Sequence, residues 1–201
     1  LWDDVARSLV AAGHRVLAPD LRGFGQSRGA PARTLADHVD DLVAVLEAVG
    51  IPALPWVGFS MGGYVTFEAL RRAPERVLAL GLVDTKAEAD TDEARQGRYA
   101  LAARVAEAGS RVVADGMAPK LFAADAAKDF GAAAVADAVV AMAARPDSTP
   151  LLAAIDRPTV VVVGEEDVLP PPSDAERLAA SIRGARLVRI PGAGHATPIE
   201  R

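Results

Sequence analysis

Ser60 is flanked two residues away on either side by glycine, in Gly58-Phe59-Ser60-Met61-Gly62. A serine hydroxyl is a weak nucleophile at neutral pH unless a base takes its proton, and an imidazole is the usual partner. Gly and Ser are also ordinary turn residues, so the pentapeptide alone reads equally as a tight connection. Its context adds weight. ALPWVGF, Ala53 to Phe59, reads as a strand, and Tyr64 to Arg72 resumes helical spacing before Pro74 stops it. A serine between strand and helix sits on a sharp, strained turn that holds its hydroxyl clear of the sheet. Both flanking glycines are expected to remove side chains that would collide there. The Met61 N–H, at the start of the helix, points where an oxyanion would form and gains from the positive end of the helix dipole.

The chain has three histidines to offer as base. His14 precedes a predicted strand in AAGHRVLAP, and His38 lies mid-helix in LADHVDDLV, where solvated or packed roles suit them. His195, in PGAGHATP, follows the last predicted strand in a Gly-rich loop at the same sheet end as Ser60, and is the candidate base. An imidazole then needs a carboxylate to fix its tautomer and stabilise the imidazolium. The trio Glu165, Glu166 and Asp167 follows a buried strand immediately in VVVVGEEDVLPP. Each of the three is a candidate, and all three are equally compatible with a solvated turn.

Composition narrows the partners. At 201 residues and 51% hydrophobic, the chain can bury a substantial core as one domain with an inserted subdomain. A net charge of −5 without any basic cluster argues against nucleic acid or an anionic membrane as partner. The absence of cysteine excludes disulfides, thiolate metal sites and cysteine nucleophiles. No apolar run approaches the roughly 20 residues that span a bilayer, and LWDDVARSLV is no secretion leader. The expectation is a cytoplasmic protein acting on a small apolar ligand, cut at its amino end, since Leu1 already lies on a helical pattern.

The elements that must position these residues follow from periodicity. Trp2, Val5, Leu9 and Ala12 fall at helical spacing, ended by Gly13. Arg15 to Leu21 reads as a short strand, followed by a Gly-rich loop. Thr34 with Asp37 opens a helix in capping-box form whose apolar face is Leu35, Val39, Leu42, Leu46 and Val49, ended by Gly50. Val77 to Asp84 and Thr159 to Gly164 read as strands covered on both faces, and Ala185 to Gly192 as a strand nearer an edge. Ser173 with Glu176 opens another capping-box helix. Strands alternating with helices imply a parallel α/β sheet with right-handed crossovers. The segment from about Thr85 to Ile155 is Ala-rich and helical, an insertion expected over the ligand crevice at the strand carboxyl ends.

The chain resembles the α/β-hydrolase superfamily, in its esterase, enol-lactonase and cofactor-free haloperoxidase branch. The resemblance is carried by APDLRGFGQS at Ala18 to Ser27, GFSMGG at Gly58 to Gly63, PTVVVVGEED at Pro158 to Asp167 and PGAGH at Pro191 to His195. It implies a mostly parallel sheet flanked by helices, with residues 1–84 and 156–201 forming the core and 85–155 a helical cap. By that resemblance Ser60, Asp167 and His195 match the family's nucleophile, acid and base, in the family's chain order. The expected activity is hydrolysis of a small apolar carboxylic ester or lactone through an acyl-enzyme, with no metal or organic cofactor.

Phe59, Met117, Phe122 and Met142 are candidates to line the pocket, with methionine making it adaptable. Trp2 and Trp56 read as packing, and Arg22 as a loop anchor. Two rivals stand beside the ester reading. One is perhydrolysis or C–C bond hydrolysis on the same triad; the other is a non-catalytic binding or scaffold protein that keeps the turn. The resemblance also implies further strands and a second oxyanion donor before residue 1, and a closing helix after residue 201, so that the sequence reads as a fragment of a longer hydrolase.

Overall fold

Four short apolar segments pair into one sheet: β1 (Leu54–Phe59), β2 (Val77–Val83), β3 (Thr159–Gly164) and β4 (Arg186–Ile190). The computed structural model describes residues 1–27, 32–109, 111–113, 116 and 132–201, with no side-chain description for 132–135. The strand order is β1-β2-β3-β4 and every pairing is parallel, Phe59 opposite Val83 and Val83 opposite Val162. All four carboxyl ends therefore open on one edge. Parallel strands need long crossovers, and helices supply them.

α1 (Asp3–Ala11) and α2 (Leu35–Ala48) precede the sheet, and α3 (Met61–Arg72) joins β1 to β2. Between β2 and β3 lie α4 (Asp92–Ala108), α5 (Ala132–Ala143) and the single turn α6 (Thr149–Leu152), with no strand among the described residues of that segment. α7 (Pro172–Ser181) joins β3 to β4, and the short α8 (Thr197–Glu200) follows. Leu35, Val39 and Leu46 of α2, Val65 and Phe67 of α3, and Leu178 of α7 meet Leu80, Leu82, Val161 and Val163 of the sheet in one buried cluster. α2 starts as read: the Thr34 side chain accepts from the Asp37 N–H while the Asp37 carboxylate accepts from the Thr34 N–H. Arg22 holds its loop to α2 through a two-pronged ion pair with Asp41. Trp56 is packing, its indole N–H donating to the Arg76 carbonyl. No helix among the described residues is long and apolar enough to cross a membrane.

Three expectations are corrected. Arg15 to Leu21 is not a strand: residues 14–20 are exposed and β1 is the sheet edge, so β propensity there finds no neighbour to pair with. β2 and β3 are not covered on both faces throughout. β3 alternates buried with half-buried residues, and Val57 of β1 is 54% exposed beside Ala79, Gly81 and Val160. Ser173 does not cap α7, which begins at Pro172; proline's fixed φ and missing N–H suit the first helical position. Glu176 pairs with Arg189 of β4 instead.

His38 is packed rather than solvated. It is 1% exposed, and neither ring nitrogen makes a hydrogen bond among the described residues. Burial lowers its pKa, partly opposed by Asp41 and Asp37. As pH falls below the ordinary histidine value of about 6.5, the unfolded chain takes up a proton that the folded chain resists, so stability is lost in that direction. His38→Leu is expected to lose less melting temperature than the parent between pH 7 and pH 5; equal losses in both proteins would exclude His38 as a source of acid sensitivity.

Candidate active site

The hydrogen-bond pattern of the sheet continues past the strand ends and fixes the loops that carry the polar residues. The Ser60 N–H donates to the Val83 carbonyl at 2.9 Å and the Asp84 N–H to Val162 at 2.9 Å. Beyond β3, the Glu165 N–H donates to Ile190 at 3.1 Å and the Glu166 N–H to Ala193 at 2.9 Å. Ser60, Asp167 and His195, 135 residues apart at the extremes, are thereby brought together.

Ser60 takes φ 50° and ψ −112°, between the last residue of β1 and the first of α3. A non-glycine residue in such a region costs on the order of 1–3 kcal/mol and persists only where its surroundings impose it. The glycines around it do not share the steric role expected of them. A Cβ on Gly58 would stand 2.2 Å from the Gly62 carbonyl oxygen, so Gly58 must be bare. A Cβ on Gly62 meets nothing within 4 Å. The second obligatory glycine is Gly63, where a Cβ would fall 2.3 Å from the Thr85 hydroxyl. The pentapeptide pattern concealed this, because the crowding comes from Thr85, just past the end of β2. α3 begins at Met61, three residues before the sequence pattern resumes, and the Met61 N–H belongs to the first turn, whose donors lack intrahelical acceptors.

The His195 Nε2 lies 2.9 Å from the Ser60 Oγ, and its Nδ1 lies 2.8 Å from the Asp167 Oδ2. An ionised carboxylate only accepts, so Nδ1 carries the ring proton and Nε2 is left to accept from the serine hydroxyl. The other Asp167 oxygen accepts from the Leu169 N–H at 2.8 Å. Burial separates the acidic trio: Asp167 is 3% exposed, whereas Glu165 and Glu166 face solvent. His195 is 2% exposed, and the Phe59 ring lies beside it, centroids 5.0 Å apart and tilted by 45°. Such an assembly can activate a serine for attack on an acyl carbon and return the proton to a leaving group. His14 is exposed in the turn after α1. Met142 sits on α5 with its sulfur 3.6 Å from an Arg98 nitrogen. Met117 and Phe122 lie outside the described residues.

Two buried polar residues were not singled out from sequence. Asp84, 1% exposed at φ 46°, accepts from the Gly164 N–H at 3.0 Å and from the Thr197 hydroxyl. Thr85, 2% exposed, donates to the Ser60 carbonyl at 2.8 Å. A carboxylate closing the otherwise apolar run VLALGLVD was the available signal.

The glycine geometry has a direct test. Gly62→Ala is expected to raise stability by up to about 1 kcal/mol, since a helical glycine gives way to alanine in open space. Gly58→Ala is expected to lower the melting temperature sharply or abolish soluble expression. Equal tolerance of both, by thermal denaturation, would refute the assignment of the steric role.

Comparison with known proteins shows the family. The family described as the alpha/beta hydrolase fold matches residues 1–122. A solved structure of a thermophilic esterase from Thermogutta terrifontis, malate bound, is 36% identical with a TM-score of 0.90, over 99% of this chain and 79% of that one. The enol-lactonase from Burkholderia xenovorans LB400 is 25% identical with a TM-score of 0.78, over 90% of this chain and 73% of that one. A curated protein of Variovorax paradoxus (strain S110) named "Putative carbamate hydrolase RutD" is 32% identical over 97% of this chain and 79% of its own length. By sequence and by the parallel sheet that gathers its polar loops at one edge, the chain is an α/β-hydrolase and belongs to the alpha/beta hydrolase fold family.

Proposed function

We propose that this hydrolase is a serine enzyme of small apolar carboxylic esters or lactones, acting through Ser60, His195 and Asp167. The observation that carries the reading is the unbroken hydrogen-bond chain from the Asp167 carboxylate through the buried imidazole to the Ser60 hydroxyl. Ser60 Oγ attacks the carbonyl carbon while its proton passes to His195 Nε2. Asp167 holds the ring orientation and stabilises the imidazolium. The Met61 N–H donates to the oxyanion, where one preorganised donor is worth about 10²–10³ in rate. The imidazolium then protonates the leaving alkoxide, and water, deprotonated by His195, resolves the acyl-enzyme. These steps use only the chain's own residues, and the substrate is taken without a cofactor.

The segment Thr85 to Ile155 serves in this reading as a cap over the crevice. It leaves β2 at the edge where Ser60 stands and is fastened beside the nucleophile's helix. Arg145 is 4% exposed, lies 4.2 Å from the centre of the Tyr64 ring on the first turns of α3, and pairs with the buried Asp90 at 2.8 Å. Burial alone would raise the Asp90 carboxyl, but hydrogen bonds from Arg145 and Arg98 hold it below the ordinary range. Phe59, at the imidazole, and Met142, on α5, are the described members of the proposed pocket lining.

A second reading, hydrolysis of a carbamate on the same residues, is favoured by the Variovorax paradoxus relative's name and identity. The two differ in the group passed to Ser60, an acyl-enzyme forming in one and a carbamoyl-enzyme in the other. The deciding assay is burst-phase hydrolysis of p-nitrophenyl acetate and butyrate, beside a p-nitrophenyl carbamate, with and without hydrogen peroxide as competing nucleophile. One equivalent of nitrophenol released rapidly per chain is expected, with the esters turned over faster than the carbamate. The burst is expected to vanish in Ser60→Ala, and Asp167→Asn to lower kcat by up to about 10⁴. A burst that survives Ser60→Ala, or a Ser60 inert to a fluorophosphonate, would defeat the serine mechanism. Faster carbamate turnover would select the second reading.

A further inference from the structure

Two adjacent side chains, Asp84 and Thr85, touch all three segments that carry the proposed reacting groups. Both sit at the carboxyl end of β2, between the Ser60 turn and the end of β3. The Thr85 hydroxyl holds the carbonyl of Ser60 itself, and its side chain occupies the space left by Gly63. Asp84 spans the other side. One carboxylate oxygen accepts from the N–H of Gly164, three residues before Asp167, and the other from the hydroxyl of Thr197, two residues after His195. Asp84 itself takes a left-handed φ of 46°.

We propose that Asp84-Thr85 is the positioning element of the site: Thr85 fixes the strained turn at Ser60, and Asp84 ties the Asp167 loop to the His195 loop. The separations of nucleophile, base and acid then depend on one buried dipeptide rather than on three independent loops. This rests on the reading of Ser60, Asp167 and His195 as the reacting groups.

Energetics agree with a role other than adding stability. Burial pushes the Asp84 carboxyl up to about 6; the hydrogen bonds from Thr197 and Gly164 oppose this, Asp167 adds to it, and His195 opposes it. A group raised in the folded state contributes stability that is present below its unfolded value, near 4, and is lost as pH rises through about 6. At neutral pH the fold therefore carries a buried charge that it would be more stable without. Asn in its place keeps an acceptor for Gly164 and can donate to Thr197, so a positioning role survives the exchange while the charge is removed.

The test compares Asp84→Asn, Asp84→Gly, Thr85→Val and Thr85→Ser with the parent in the full chain. Glycine accepts the left-handed φ, so Asp84→Gly removes the carboxylate without imposing backbone strain. The readouts are kcat and KM with p-nitrophenyl butyrate, thermal stability at pH 8 and pH 4, and the downfield proton resonance of the His195–Asp167 hydrogen bond. Asp84→Gly and Thr85→Val are expected to lose about 10²-fold in kcat, the scale of a misplacement near 1 Å, with KM nearly unchanged. Asp84→Asn and Thr85→Ser are expected to retain most of kcat, with Asp84→Asn melting higher than the parent at pH 8 and not at pH 4. The resonance is expected to broaden or shift in Asp84→Gly and to persist in Asp84→Asn.

Folded Asp84→Gly and Thr85→Val proteins with parental kcat and an unchanged resonance would overturn the proposal. If the parent shows no Ser60-dependent turnover, the resonance decides alone. Its loss in Asp84→Gly would uphold the positioning role while the serine mechanism falls; its persistence would remove both.

Discussion

The structure depends on parallel hydrogen bonding between β1, β2, β3 and β4, because that pairing sends every carboxyl end to the same edge. The pairing does not stop where the strands do. Backbone bonds from Ser60 to Val83, from Asp84 to Val162 and from Glu165 to Ile190 carry the sheet's spacing into the loops. A loop held in this way has little freedom to wander, and residues far apart in sequence acquire separations fixed by the sheet. Hydrophobic burial supplies the stability that keeps the pairing intact, with Leu80, Leu82, Val161 and Val163 packed beneath α2, α3 and α7. The polar edge is thus a consequence of an apolar core.

Desolvation sets the electrostatics of that edge. Three carboxylates are buried among the described residues, and each meets burial differently. Asp167 faces an imidazole and a backbone N–H, the partners that orient a base. Asp90 is paired with Arg145 and Arg98, which keep it charged. Asp84 has two neutral donors and no cation among its hydrogen-bond partners, and burial pushes its carboxyl up to about 6. Removing one partner from a buried charged group costs more than the pair contributes, which makes these contacts sensitive points of the fold. Arg145 in turn lies over the Tyr64 ring of α3, an attraction strengthened where water is excluded.

Much of this was legible in the residues. The period of apolar positions marked α2 and the four strands, because burial on one face or both leaves a repeat that survives without coordinates. Thr34 and Asp37 marked a helix start because their bonds are local. The strand–serine–helix order and the position of His195 just past a strand were enough to nominate a nucleophile and a base, whereas position left the acid among Glu165, Glu166 and Asp167 and only the resemblance to the α/β-hydrolases pointed to Asp167. Where partners lay far off in sequence, the reading failed. Arg15 to Leu21 has the residues of a strand and lacks a neighbour in the sheet, and Ser173 has the spacing of a cap while Pro172 takes the first helical position.

The sequence by itself determined the alternation of elements, the apolar strands, the candidate serine and the histidine after the last strand, since each depends on local periodicity or on residue chemistry. Only the tertiary structure decided which glycines are obligatory, which acid of Glu165, Glu166 and Asp167 is buried against the imidazole, and that Asp84 and Thr85 join the three loops. Those choices rest on contacts between segments far apart in the chain, between residues such as Gly63 and Thr85 or Asp84 and Thr197. Distance in space between residues remote in the chain is set by packing, and no local pattern encodes it.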